Sequence, residues 1–166
     1  MPKLWIGIDP GLSGAVAFIH ESDSVAFIDM PVFATKKGKK FRNEIDLYAL
    51  QQELAARSAG HESHLCIEAQ SSRPGQGVSS TFTIGKNYGL LLGMIETMRM
   101  RYEVVWPAAW KKAVMAGMGD GKSESIIVAT RLYPGVAGDL RRVKDHNRAD
   151  ALLIAEFSRR RRMGNP

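Results

Sequence analysis

The chain has 166 residues, 45% of them hydrophobic and 24% charged, which suits one domain over residues 1–166 around a single core. The hydrophobic residues are spread along the length, which argues against a disordered chain, and no apolar run approaches the ~20 residues of a membrane-spanning helix. A net charge of +6 and a pI near 9.6 favour a polyanionic partner without identifying one.

The opening Met1-Pro2-Lys3-Leu4 runs straight into a strand-like segment with no signal-peptide core before it. Residues 4–9 read as a buried strand that stops at Pro10-Gly11, and residues 14–19 and 24–29 continue it as a three-stranded antiparallel meander. Residues 35–40, rich in lysine, read as a basic loop. Residues 43–46 then lead into an amphipathic helix with Leu47, Leu50, Leu54 and Ala55 at helical spacing. Residues 65–68 are a short buried strand containing the single cysteine, Cys66, which reads as a core residue and fits a reducing compartment. A polar Gly/Ser/Pro loop over residues 69–80 precedes a long helix through Gly89-Leu90-Leu91-Leu92-Gly93-Met94-Ile95. Its apolar residues cover more than one face, either as pure core or as core on one side and a contact with a second copy on the other. A strand over residues 102–106 is closed by Pro107, which can open the helix carrying Trp110, Lys111 and Lys112. Gly119-Asp120-Gly121 breaks that helix, and residues 122–133 form another. A basic loop with Arg141, Arg142 and Lys144 leads to a last helix from about Asn147 to Arg162. Three antiparallel strands followed by strand–helix alternation predict an α/β chain: a mixed five-stranded sheet flanked by helices, the ribonuclease H-like arrangement.

Three acids stand where solvated acids rarely do. Asp9 and Glu68 each end an apolar strand, and Asp150 lies in the most apolar part of the last helix. If the two strands are parallel neighbours, Asp9 and Glu68 converge at one sheet edge, and Asp150 could complete the group. Clustered carboxylates repel unless a cation neutralises them, and hard oxygen ligands suit Mg²⁺, with Mn²⁺ able to substitute. Two such ions about 4 Å apart could activate a water and stabilise the leaving oxygen of a phosphodiester. The plainer alternatives are a turn former at Asp9 and a helix-terminus charge at Asp150.

Ile6-Gly7-Ile8-Asp9-Pro10-Gly11-Leu12-Ser13-Gly14 resembles the opening motif of RuvC-type Holliday junction resolvases, in which the aspartate is a metal ligand. Ile67-Glu68-Ala69-Gln70 resembles their second acidic motif, and Arg148-Ala149-Asp150-Ala151-Leu152 resembles the last. The segment Arg73-Pro74-Gly75-Gln76-Gly77-Val78, with Gly85 and Gly89, looks more like phage or prophage members than housekeeping ones. The resemblance implies a homodimer in the cytoplasm of a bacterium or phage-infected cell that nicks opposed strands of a four-way DNA junction with Mg²⁺. One departure from the bacterial pattern is Asn147, where an aspartate is common. His146, on one helix face with Asp150, and Asp145 are the candidates for the fourth catalytic position; a cap or surface residue is the alternative for each.

The resemblance also assigns DNA contacts. Lys111, Lys112 and Lys122 flank the helix break that would face DNA, while Arg141, Arg142, Lys144 and the lysines at 36, 37, 39 and 40 could reach flanking arms. Arg73 and Gln76 fall in the loop after Glu68 that approaches the junction centre in the family, with Phe82 just beyond, unless the loop is only a glycine-rich connection. Arg159-Arg160-Arg161-Arg162 is either a DNA contact or a solvated helix end. Asp-Pro-Gly-Leu-Ser-Gly is also like the first phosphate loop of actin-like ATPases, but those need two lobes, for which the chain has no room. A catalytically dead relative would have lost one of the three acids. The remaining alternative is a ribonuclease H-like nuclease acting on another branched DNA or on an RNA–DNA hybrid.

Overall fold

The continuous apolar run of β1 (Lys3–Asp9) sets the architecture, because its side chains alternate between two faces and each face is buried against a different layer. Leu4, Ile6 and Ile8 enter one core, and Trp5 enters the other. The computed structural model describes residues 1–119 and 121–164, with Lys37 described by its backbone alone. Asp120 of the expected helix break and the Lys37 side chain therefore lie outside the described residues.

β1 pairs antiparallel with β2 (Ala15–His20), which pairs antiparallel with β3 (Val25–Asp29). On its other edge β1 pairs in parallel with β6 (Glu62–Glu68), and β6 with β7 (Tyr102–Val105). The resulting five-stranded sheet has the order β3-β2-β1-β6-β7, the mixed ribonuclease H-like sheet expected from the sequence. α1 (Leu47–Ser58) and α2 (Val78–Thr97) cover one face, burying Leu50, Leu54, Leu91, Met94 and Ile95. α3 (Pro107–Val114), α4 (Lys122–Leu132) and α5 (His146–Arg162) cover the other. Asp46 accepts from the Ala49 amide at 2.9 Å to start α1, and Pro107 opens α3. Cys66 is fully buried in the α5-side core, where burial pushes its thiol pKa up, so it packs rather than reacts.

The lysine-rich segment is not a loop. β4 (Val32–Lys37) and β5 (Lys40–Ile45) form a separate two-stranded hairpin. Gly38, at φ +64°, supplies the left-handed turn that a two-residue hairpin connection requires. The lysine density hid this strand pairing, since lysine is depleted in strands and the apolar positions are few.

Candidate active site

Ile8 of β1 pairs with Ile67 of β6, so Asp9 and Glu68 leave adjacent parallel strands at the same edge. Because side chains alternate, both acids share the face of Trp5 and Cys66, which is the face covered by α5. Gly7 lets α5 come close: a Cβ there would lie 2.1 Å from the Ala151 carbonyl oxygen and 2.5 Å from the Ala155 nitrogen. That approach brings Asp150, one residue before Ala151, beside the end of β1. Gly14 works similarly at the turn, where a Cβ would lie 2.0 Å from the Asp9 carbonyl oxygen, so the chain can double back directly behind Asp9.

All three acids are half-buried. Burial, then the charges of Glu68 and Asp150, push the Asp9 carboxyl well above its ordinary range, against the pull of Lys111. Burial also raises Glu68, opposed first by a hydrogen bond from the Trp110 indole, and Asp150, opposed first by the Ser125 hydroxyl. Trp110 Nε1 donates to Glu68 Oε1 at 2.8 Å, and Gln70 Nε2 donates to Glu68 Oε2 at 3.5 Å. Asp150 Oδ1 is buried and accepts no hydrogen bond among the described residues.

An orphaned Asp150 oxygen beside two acids whose carboxyls its charge pushes up is a donor set suited to a hard divalent cation. Among the described residues, however, no group of three or more His, Cys, Asp or Glu side chains already stands in an arrangement that could hold an ion.

Lys111 lies closer to the chemistry than its reading as a DNA-facing lysine required, since its charge acts on Asp9, Glu68 and Asp150. Lys122 and His146 act on Asp150, while Lys112 is exposed on the outside of α3. His146 opens α5, with Nδ1 2.9 Å from the Val143 carbonyl oxygen; an Nδ1–H donated there leaves the lone pair on Nε2. Its neighbours face elsewhere. Asp145 is buried and accepts from the Arg142 backbone N–H at 2.8 Å and from the Arg142 guanidinium at 2.7 Å. Those bonds hold its carboxyl down to about 2. Asn147 donates to the Ser13 carbonyl, tying α5 to the turn behind Asp9. Of residues 145 to 147, His146 is the one whose charge acts on Asp150, in keeping with the i,i+4 spacing that puts the two on one helix face.

In the loop after β6, the Gln76 side-chain oxygen accepts from the Arg73 backbone N–H at 3.1 Å, and the exposed Arg73 draws Glu68 toward its charged form. Phe82, on the first turns of α2, is 72% exposed. Arg141 and Lys144 are exposed before α5, and Arg142 keeps much of its side chain in solvent while gripping Asp145. The arginine run is mostly committed to the protein. Arg159 pairs with Asp23 at 2.6 Å, Arg160 with Glu156 at 2.8 Å and Arg161 with Glu103 at 3.2 Å, so a DNA contact by these three has no support. Trp110, Ser125 and Gln70 were not recognised in the sequence as partners of the acids; a buried indole N–H needs an acceptor, but only the packed structure shows which.

No protein-family model matches the chain. A stretch of 92 residues is 33% identical to the chloroplastic Holliday junction resolvase MOC1 of Chlamydomonas reinhardtii, covering 55% of this chain and 10% of that protein. The fold is similar to that of Thermus thermophilus RuvC in complex with a Holliday junction substrate, at TM-score 0.59 and 17% identity over 98% of this chain and 97% of that one. A second T. thermophilus RuvC structure aligns at TM-score 0.53 and 20% identity, with the same coverage. The resemblance read from the three acidic motifs thus extends to the fold and to a stretch of sequence.

Proposed function

We propose that the chain is a metal-dependent endonuclease that cuts branched DNA, with the four-way junction as its substrate. The observation that carries this reading is the meeting of Asp9, Glu68 and Asp150 at the carboxyl end of two parallel strands, each held toward its neutral form. Mg²⁺, with Mn²⁺ as a substitute and two ions per site, would be held by these three carboxylates; when bound it supplies charge neutralisation and a nucleophilic water for phosphodiester hydrolysis.

The remaining residues act around that centre. Trp110 fixes one Glu68 oxygen, and the other, held by Gln70 at a long 3.5 Å, is the one a cation would take. Lys111 offsets negative charge when a phosphate arrives beside the carboxylates. His146, through Nε2, can take or give a proton at the attacking or leaving oxygen. Lys112, Lys122, Arg73, Gln76, Arg141, Arg142 and Lys144 serve in this reading as phosphate and base contacts. Two opposed nicks require two sites, so the acting species is a homodimer. The names of the relatives, a resolvase and RuvC with a junction, support the branched substrate. The deciding experiment compares cleavage of four-way junction, flap, duplex and RNA–DNA hybrid in Mg²⁺. Junction cutting well above the others is expected, and a preference for flap or hybrid would replace the junction with another substrate.

A further inference from the structure

We infer that the β4–β5 hairpin is a groove-reading arm that enters the major groove of a duplex arm beside the cut site, a contact separate from the catalytic edge. The inference rests on the reading of the chain as a nuclease of branched DNA and adds where, and with what element, a duplex is gripped.

The hairpin starts at the catalytic edge. β2 and β3 run antiparallel to their neighbours, so Asp9 pairs with Ala15 and Ala15 with Asp29, and β3 therefore ends beside the acids. The Met30 amide donates to the Gly14 carbonyl at 2.9 Å and the Asp46 amide to the Pro31 carbonyl at 2.8 Å, which pins both feet of the hairpin there. Beyond those feet, strands of 6 residues each project roughly 20 Å, the length of about six base pairs.

Its surface suits a groove walled by phosphates. Lys36, Lys39, Lys40 and Arg42 are exposed, and none forms an ion pair among the described residues. Lys36 pairs across the strands with Phe41, while Lys40 and Arg42 lie on the opposite face, so cations stand on both faces of the ribbon. Phe41 is 72% exposed and Phe33 46%. The hairpin's one acid, Glu44, pairs with Lys86 of α2 at 3.4 Å and accepts from the Thr35 hydroxyl at 3.3 Å. A sheet with one buried face would segregate charge; this ribbon carries cations on both faces and an aromatic near its tip. A two-stranded ribbon fits the roughly 12 Å major groove, where both faces meet phosphate walls and the tip meets base edges.

The test measures binding to a labelled four-way junction in EDTA across salt, with dimethyl sulfate reporting guanine N7 in the major groove. Lys39→Ala with Lys40→Ala should weaken binding about tenfold and lower the slope of log affinity against log salt by about 2. Lys39→Arg with Lys40→Arg should restore both. Phe41→Ala should weaken binding with the slope kept. Guanines within about six base pairs of the cut should be shielded by the wild-type chain and exposed in the alanine variants. A wild-type chain that neither binds nor cuts a junction defeats the functional reading itself. A wild-type chain that cuts, with slope and N7 shielding unchanged in the alanine variants, overturns the hairpin inference alone. Dissociation of a dimer with the salt slope intact would make the hairpin a contact between copies and likewise overturn it.

Discussion

Asp9 is pushed toward its neutral form by burial, by Glu68 and by Asp150, and this has consequences that can be read without any substrate. In the unfolded chain an aspartate titrates near pH 4. Below that value both states are protonated and nothing is lost. As pH rises toward the higher native pKa, the unfolded chain releases its proton first, so native stability falls with pH. In EDTA the melting temperature should therefore drop as pH is raised above about 4 through this group's titration, and Asp9→Asn should flatten the drop. If the relief is about 1 kcal/mol, the variant melts about 2–4 °C higher near pH 8. Mg²⁺ should raise the melting temperature of the wild type and not of Asp9→Asn, and the variant should not cleave. A variant that melts lower and still responds to Mg²⁺ would remove Asp9 from the metal site. Trp110→Phe tests the neighbouring bond: it keeps most of the ring and deletes the donor to Glu68. The Mg²⁺ midpoint of cleavage should rise by about 10–100-fold, and an unchanged midpoint would leave Trp110 a packing residue. The three acids are legible in the sequence because Asp9 and Glu68 each end an apolar strand and Asp150 interrupts an apolar helix. Their partners were not, because nothing along the chain records which buried acceptor an indole or hydroxyl will reach.

At the scale of elements, the periodic segments were legible and the boundary segments were not. β1, β2, β3 and β6 follow from continuous apolar runs, and α5 from its apolar face. The β4–β5 hairpin is not legible because residues 35–40, its lysine-rich tip, read as a loop, and its outer cross-strand pairs, Thr35 with Arg42 and Lys36 with Phe41, show no apolar alternation. The start of α5 carries the sharpest consequence. The short turn Val143–Asp145 gives Asp145 to Arg142, whereas the first helical residue, His146, falls on the face of Asp150. His146→Ala should therefore nearly abolish cleavage while leaving the melting temperature close to wild type. Asp145→Asn should weaken cleavage only modestly and lower the melting temperature. The Asp145 contribution has the sign opposite to that of Asp9. Its native pKa is held at about 2, so its stabilisation is present above the unfolded value and is lost as pH falls toward 2. Single-turnover rates beside melting curves at pH 3 and pH 7 separate the two residues. An Asp145→Asn variant that is dead yet fully stable would move the fourth catalytic position to Asp145.

For the whole molecule, the proposed junction cleavage requires that one acidic edge become two coordinated cuts. α2 buries Leu91, Met94 and Ile95 against the sheet but leaves Val78, Phe82 and Leu90 exposed at 88%, 72% and 45%. Gly85, Gly89 and Gly93 line the same outer side, with open space where a Cβ would stand. Backbone this bare lets another helix approach closely, and the apolar residues alongside give the approach a driving force. In the proposed homodimer a second copy related by a two-fold axis would present the same face, and a self-complementary α2 contact would close at two chains. Leu90→Arg places a charge in that contact while pointing away from the core, so the fold should survive. Sedimentation should show a dimer for the wild type and a monomer for Leu90→Arg. A supercoiled plasmid that extrudes a cruciform reads out the coordination. Paired nicks made within one encounter give linear product, whereas uncoupled monomers give nicked circles, because the first nick releases the supercoiling that holds the cruciform. The wild type should yield linear DNA and Leu90→Arg mainly nicked circles, with Asp9→Asn yielding neither. A Leu90→Arg chain that stays dimeric and linearises the plasmid would rule out α2 as the contact, and a monomeric wild type that linearises it would rule out the dimer.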